Sequence, residues 1–180
     1  MGDGLGQRQL AVVEGGRDGE VRFLGEIENE PEVKNAGELQ DSPEELMQAV
    51  AREAKKIDGH MPRLFATLPR LPYGIKEIPP EIAPGTTTAY YEQGSPELGL
   101  AGYYAVNTSK LDQRPLYELP ALTAHEAVPG HHHQIALAQE MDLPLQRRYG
   151  VSYAAFTEGW GLYAESLGRE MGLYDTPEKM

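Results

Sequence analysis

The chain has no cysteine, one tryptophan and three phenylalanines in 180 residues, and it is short of basic side chains, with 16 Lys and Arg against 28 Asp and Glu. Each shortage excludes something. Without thiols there are neither disulfides nor thiolate ligands, so any metal must be held by nitrogen and oxygen alone. A formal charge of −12 at pH 7 argues against a nucleic-acid partner and against anionic membrane surfaces. No apolar run approaches the roughly eighteen residues that a membrane span needs. The opening MGDGLGQRQL has no apolar signal-peptide core, so the expected location is cytoplasmic. An apolar content of 40% is enough for a modest core, in one domain or a piece of a larger one.

Residues 1–41 are rich in glycine and acid and show little periodicity. Only Leu10 to Val13 and Val21 to Leu24 could form short strands, and poor order is expected around them. From residue 42 the patterning sharpens. Ser42-Pro43-Glu44-Glu45 combines a capping box with proline at the first helical position, and predicts a helix to about Ile57 with Leu46, Val50 and Ala54 on its buried side. Residues 61–86 interleave six prolines with Leu64, Phe65, Leu68, Leu71 and Ile75. So many apolar side chains need burial, so this is extended chain docked on the domain. Thr87 to Tyr91 and Gly102 to Val106 flank a polar turn and read as an antiparallel hairpin, with Gly102 to Val106 as an edge strand. Helices are expected from Pro120 to about Met141 and from Ala154 to Gly172. In the second, Phe156, Trp160, Tyr163 and Leu167 recur at helical spacing and would be buried.

The chemistry concentrates in His125 to His133, HEAVPGHHH. A His-Glu-x-x-His helix grips one zinc because positions i and i+4 share a face, with the Glu placed to activate water. Here His125 and His131 are six apart, which leaves them roughly 120° apart around a regular helix. Pro129-Gly130 resolves the mismatch. Proline removes a backbone donor and glycine accepts conformations closed to other residues, so two residues can loop out in a π-type bulge and bring His131 to the i+4 place. His132 is on the face of His125 in an unbroken helix but ~10.5 Å along the axis, too far to share one ion. Three adjacent histidines could also form an adventitious metal tract, but that leaves the preceding His-Glu and the Pro-Gly unexplained.

The segments Leu122 to Glu140 (LTAHEAVPGHHHQIALAQE), Phe156 to Glu165 (FTEGWGLYAE), Gly102 to Thr108 (GYYAVNT) and Arg114 to Leu122 (RPLYELPAL) resemble the bacterial family grouped as domain of unknown function 885, whose members look like zinc metallopeptidases of the gluzincin type. The resemblance covers roughly residues 42–177 and departs from the family at His133, where a leucine is usual. It implies an α+β, mostly helical fold in which a metal-site helix pair carries a small antiparallel hairpin or sheet alongside. Residues 42–180 would be part of a larger helical metallopeptidase-like catalytic domain. The cap-like Asp175-Thr176-Pro177-Glu178 starts a helix with almost nothing after it, which predicts truncation at the C-terminus.

Catalytic zinc takes three protein ligands, and Glu158, early in the second helix, is the natural partner for His125 and His131. Gluzincins often place an acid four residues after the ligand Glu to orient a histidine. Leu162 holds that place here. Glu165 is the nearest substitute, but two turns separate it from Glu158, so it reads as a surface or helix-pairing acid, and Tyr163 or a backbone carbonyl could take over the orienting task. Arg114 is expected to pair with Glu118. Glu126 is the expected general base. Tyr103, Tyr104 and His132 are the candidate donors to the oxyanion, and an edge strand at Tyr103, Ala105 and Asn107 would hold an extended peptide. The expected activity is zinc-dependent hydrolysis of a peptide or small amide substrate. The alternatives are a metal-binding or partner-binding remnant without turnover, and a hydrolase of non-peptide amides or esters.

Overall fold

The computed structural model describes residues 39–150 and 153–175 in full and, before them, the backbone of two strands. The chain divides into two compact units, residues 1–36 and 37–180. In the first, β1 (Ala11–Gly15) and β2 (Val21–Glu26) form an antiparallel ribbon whose register shifts between Ala11 and Val13. The poor order expected over the rest of residues 1–41, and the helix-start signal beyond Asp175, fall almost wholly outside the described residues.

The second unit is α+β. Helix α1 (Pro43–Asp58) starts as its sequence dictates, with the Ser42 hydroxyl accepting the Glu45 N–H at 3.2 Å and proline in the first turn. The return bond of the box is displaced by one residue: the Glu45 carboxylate accepts the N–H of Asp41 at 3.1 Å. Leu46, Ala49, Val50, Ala54 and Ile57 form its buried stripe. A short helix α2 (Met61–Leu64) follows.

The proline-rich stretch contains a strand that the sequence pattern conceals. β3 (Tyr73–Glu77) pairs parallel with β5 (Gly102–Val106), and β4 (Ala89–Glu92) pairs antiparallel with β5 on its other side, giving the order β3-β5-β4. The hairpin is present, but the sheet is mixed, and Gly102 to Val106 is its central strand, not an edge. The residues show why. Tyr104, Ala105 and Val106 are all buried, the near-continuous burial of a strand covered on both faces and paired on both sides.

Helix α3 (Leu119–Glu126) joins two cores. Leu119 and Ala127 pack with Leu46, Ala49 and Val50 of α1 and with Ala89, Tyr104 and Val106 of the sheet. Ala124 and Val128 pack with Ile57, Met61, Leu167, Met171 and Leu173. Helix α5 (Ala154–Leu167) is shorter than expected and rotated: Gly161, Ala164 and Leu167 are buried, Trp160 only half so, while Phe156 and Tyr163 stay 69% and 53% exposed. Small residues face α3, so the two helices come close together. Arg114 takes no ion pair with Glu118 among the described residues; its guanidinium donates to Thr88 Oγ1 and the Gln113 carbonyl at 3.4 Å.

Two polar anchors hold the loops. Asn107, wholly buried, donates from Nδ2 to the carbonyls of Ala83, Thr86 and Thr87 at 2.7–3.1 Å and accepts from Ser109 N and Oγ at 2.9 and 2.7 Å. Glu140, the last residue of helix α4 (His131–Glu140), accepts the Arg70 and Leu71 amides at 2.6 and 3.1 Å and Arg70 Nε at 3.0 Å. Partial burial pushes its carboxyl up, but these donors outweigh that and hold it below the ordinary range.

Asn107→Ala strands several buried carbonyls and is expected to cost about 2–4 kcal/mol in urea unfolding; a cost under about 0.5 kcal/mol would contradict the anchor. Because the folded-state pKa of Glu140 is depressed, its stabilisation is present above the unfolded carboxylate value of about 4.3 and is lost as pH falls through the lowered folded value. The Tm gap between wild type and Glu140→Gln should therefore be open at pH 7 and narrow as acid is added below that value, and a gap that widens in acid would overturn the assignment.

Candidate metal centre

The expected single helix from Pro120 to Met141 is broken in two. Helix α3 ends at Glu126, Ala127 leaves helical space at φ −97°, ψ −104°, and α4 begins at His131 after Gly130 at φ −76°, ψ −130°. The π character survives in one bond, from His132 N–H to the Ala127 carbonyl at 3.1 Å, a span of five residues. Gly130 passes directly against the carbonyl oxygens of His125 and Ala124, where any Cβ would collide, so glycine is required by contact. Trp160, expected to be simple core, reaches across from α5 and donates Nε1–H to the Pro129 carbonyl at 2.8 Å. The loop is thus pinned from both sides.

The break brings His125 and His131 together with their rings nearly perpendicular at 88° and centroids 4.7 Å apart. Glu158 Oε2 lies 3.3 Å from His125 Nε2 and 3.6 Å from His131 Nε2. The three donor atoms all fall within 4.8 Å of one another. Zn–N and Zn–O bonds of about 2.0–2.2 Å in tetrahedral array separate ligand atoms by roughly 3.3 Å; the two His–Glu distances match that separation, and the nitrogen and oxygen chemistry of the set suits a zinc ion. The imidazoles are largely covered while the Glu158 side chain is 59% exposed, so the cluster opens on the Glu158 side.

Glu165 completes the site. Its Oε1 stands 2.6 Å from His125 Nδ1; the Nδ1–H donates to the carboxylate and Nε2 is left bare toward Glu158 and His131. The reading of Glu165 as a surface acid is corrected here. Two turns do separate it from Glu158, but two turns restore the same face of α5, and the group it must reach is His125 on the neighbouring helix. Between the two acids lies Gly161, where a Cβ would stand 2.6 Å from His125 Nε2. The signal was available as Glu158, Gly161 and Glu165 on one stripe, at i, i+3 and i+7. His131 has no such support among the described residues, where its Nδ1 is buried without a hydrogen-bond partner.

Glu126 is buried beside the ligands. Burial raises its pKa, the neighbouring His125 and the Tyr91 backbone N–H oppose the rise, and the charges of Glu158 and Glu165 add to it. Burial is also the first cause of the lowered pKa of His131.

The remaining sequence candidates lie elsewhere. His132 turns away from the cluster: Tyr91 OH is 2.9 Å from its Nδ1, and its ring packs on Tyr73 at 4.8 Å. Burial lowers its pKa to about 4, only partly offset by a bond to the Leu71 backbone. It is not placed to donate to an oxyanion. Tyr104 is fully buried near Glu126 and Thr123, its pKa raised first by burial, and no substrate can reach it. Tyr103 projects from the other face of the sheet under Lys76 Nζ at 4.8 Å. Ala105 and Asn107 are core positions, so neither can line a bound peptide; a central strand has no free edge to offer. His133 packs behind the site on Phe65, ring centroids 4.4 Å apart.

The break thus places two imidazoles and a carboxylate together between two helices. The family described as "Bacterial protein of unknown function (DUF885)" matches residues 10–180, and the chain belongs to it. Among solved structures it is similar to the crystal structure described as "the putative lipoprotein from Colwellia psychrerythraea", with 33% sequence identity and a TM-score of 0.72 over 78% of this chain. The chain spans 25% of that protein's length. No curated protein matches.

Glu165→Leu removes the buttress of His125 and leaves all three donor atoms in place. Zinc affinity, measured by chelator competition, is expected to fall about 10- to 100-fold; an unchanged affinity would remove Glu165 from the site.

Proposed function

We propose that this chain carries the metal centre of a zinc-dependent hydrolase that cleaves peptide or related amide bonds. The observation that carries the reading is the clustering of His125, His131 and Glu158, whose ligand atoms lie within 4.8 Å of one another, with Glu126 adjacent in sequence and buried beside them. Bound zinc supplies Lewis-acid polarisation of a carbonyl and a water of lowered pKa. Glu126, its carboxylate beside the ligands, would take up a proton from the attacking water and return it to the leaving amine. Its raised pKa makes it the stronger base, and the Tyr91 N–H fixes the carboxylate's direction. Glu165 keeps His125 in the tautomer that presents Nε2.

The order β3-β5-β4 leaves β3 and β4 as the sheet edges. β4 is the sheet edge on the ligand side, since β5 is paired on both flanks and Tyr91 of β4 meets Glu126. Substrate pairing, assigned from sequence to Gly102 to Val106, is not available on that strand, and the outward Tyr91 amide of β4 is taken by Glu126.

A second reading, a metal-binding remnant without turnover, draws on the exposure of Glu158 and on the quarter of the Colwellia protein's length that the chain spans. One pair of variants separates the two. Glu126→Gln should keep zinc near one per chain and lower hydrolysis of a quenched peptide library by about 10²- to 10⁴-fold, whereas His131→Ala should lose the metal. Zinc at one per chain in a wild-type protein that cleaves nothing in the library would sink the hydrolase reading and leave the remnant.

A further inference from the structure

We propose that His132 is a positioning residue: paired with Tyr91, it fixes the edge strand whose backbone amide holds Glu126. The inference rests on the hydrolase reading for its kinetic consequence but not for its geometry.

The three consecutive histidines go three ways. His131 faces Glu158, His133 packs on Phe65, and His132 points to the sheet. A buried imidazole held neutral must satisfy both nitrogens, and this one does. The bond to the Leu71 carbonyl places the proton on Nε2, so Nδ1 is bare and accepts the Tyr91 O–H at 2.9 Å. The Tyr91 oxygen accepts in turn from the Gly94 N–H. Burial pushes the Tyr91 phenol up to about 12, so it keeps the proton it donates. Room for the phenol comes from Gly102, whose missing Cβ would fall on the Tyr91 hydroxyl.

The backbone of Tyr91 serves the other side of the helix break. Asn107 N–H bonds to the Thr88 carbonyl at 3.0 Å, and Tyr91 is in register with Tyr104. Antiparallel alternation then turns the Tyr91 amide away from β5, and there it donates to the Glu126 carboxylate. One residue therefore ties α4 through its side chain and the last residue of α3 through its amide. Gln139, two turns after His132 on the same face of α4, ties the strand again by donating Nε2–H to the Gly94 carbonyl at 3.0 Å. The edge strand is registered to the ligand helix at two points, and the base is registered to the edge strand.

Tyr91→Phe removes the hydroxyl and nothing else. With a quenched peptide library as substrate and zinc as the only metal, it should lower kcat about 10- to 100-fold with KM and zinc content unchanged. In the zinc-free protein it should speed hydrogen exchange of the residue 91 amide at least about tenfold while the Ala124 amide is unaffected. His132→Asn, whose side-chain oxygen can take the place of Nδ1, should retain more activity than His132→Leu, and combining His132→Leu with Tyr91→Phe should add little to either. An unchanged exchange rate at residue 91 overturns the clamp, and so does faster exchange with an unchanged kcat. If the wild-type chain hydrolyses nothing, the hydrolase reading fails on its own and the exchange rate alone decides whether the clamp exists.

Discussion

The site depends on one close passage, that of Gly130 against the carbonyl oxygens of His125 and Ala124. A side chain there would push the loop outward and carry His131 away from His125. Because contact at this point is permitted only to glycine, the helix can stop after Glu126 and restart at His131 on a displaced axis. The two imidazoles then meet although their spacing forbids it on a regular helix. The displacement is held by bonds across the gap: His132 N–H to Ala127 within the strand of chain, and the Trp160 indole to Pro129 from the neighbouring helix.

Around that break each neighbouring element contributes a different kind of support. Helix α5 presents small residues to α3, which brings Glu158 to the imidazoles and Glu165 behind His125. The sheet contributes Tyr91 and the polar knot at Asn107. The Pro-rich segment contributes the Leu71 carbonyl, itself kept in place by Glu140 at the far end of α4. Burial lowers the pKa of His132 and His133 behind the site to about 4, so both stay neutral and place no charge in the core.

Much of this was legible in the residues. The cap at Ser42-Pro43 gave α1 almost to the residue, because capping chemistry is local. The convergence of His125, His131 and Glu158 followed from ligand chemistry combined with the breaker pair Pro129-Gly130. What stayed hidden was whatever depends on partners distant in sequence. The six residues between Pro72 and Pro79 carry no periodicity that would mark β3, so β5 looked like an edge and its residues like a substrate track. The same gap misplaced Ala105 and Asn107, which the segment after β3 covers: Ala105 packs on Ile78 and Ala83, and Asn107 bonds to the carbonyls of Ala83, Thr86 and Thr87. Glu165 was read as a surface or helix-pairing acid because its distance was measured along its own helix, when its partner His125 sits on another. Phe156 and Tyr163 show the converse failure: apolar periodicity named a face of α5, but close approach through Gly161 and Ala164 selected a different one.

The mixed sheet also bears on how the chain reaches its native state. The β4–β5 hairpin closes a short loop, but β3 must find β5 in parallel across the whole intervening hairpin, and loop-closure entropy makes that pairing the slower event. Tyr73, the first residue of β3, also packs on His132. The histidine run therefore finishes assembling only once the most non-local strand has docked, and nascent chains holding the hairpin alone would carry these imidazoles without their final neighbours.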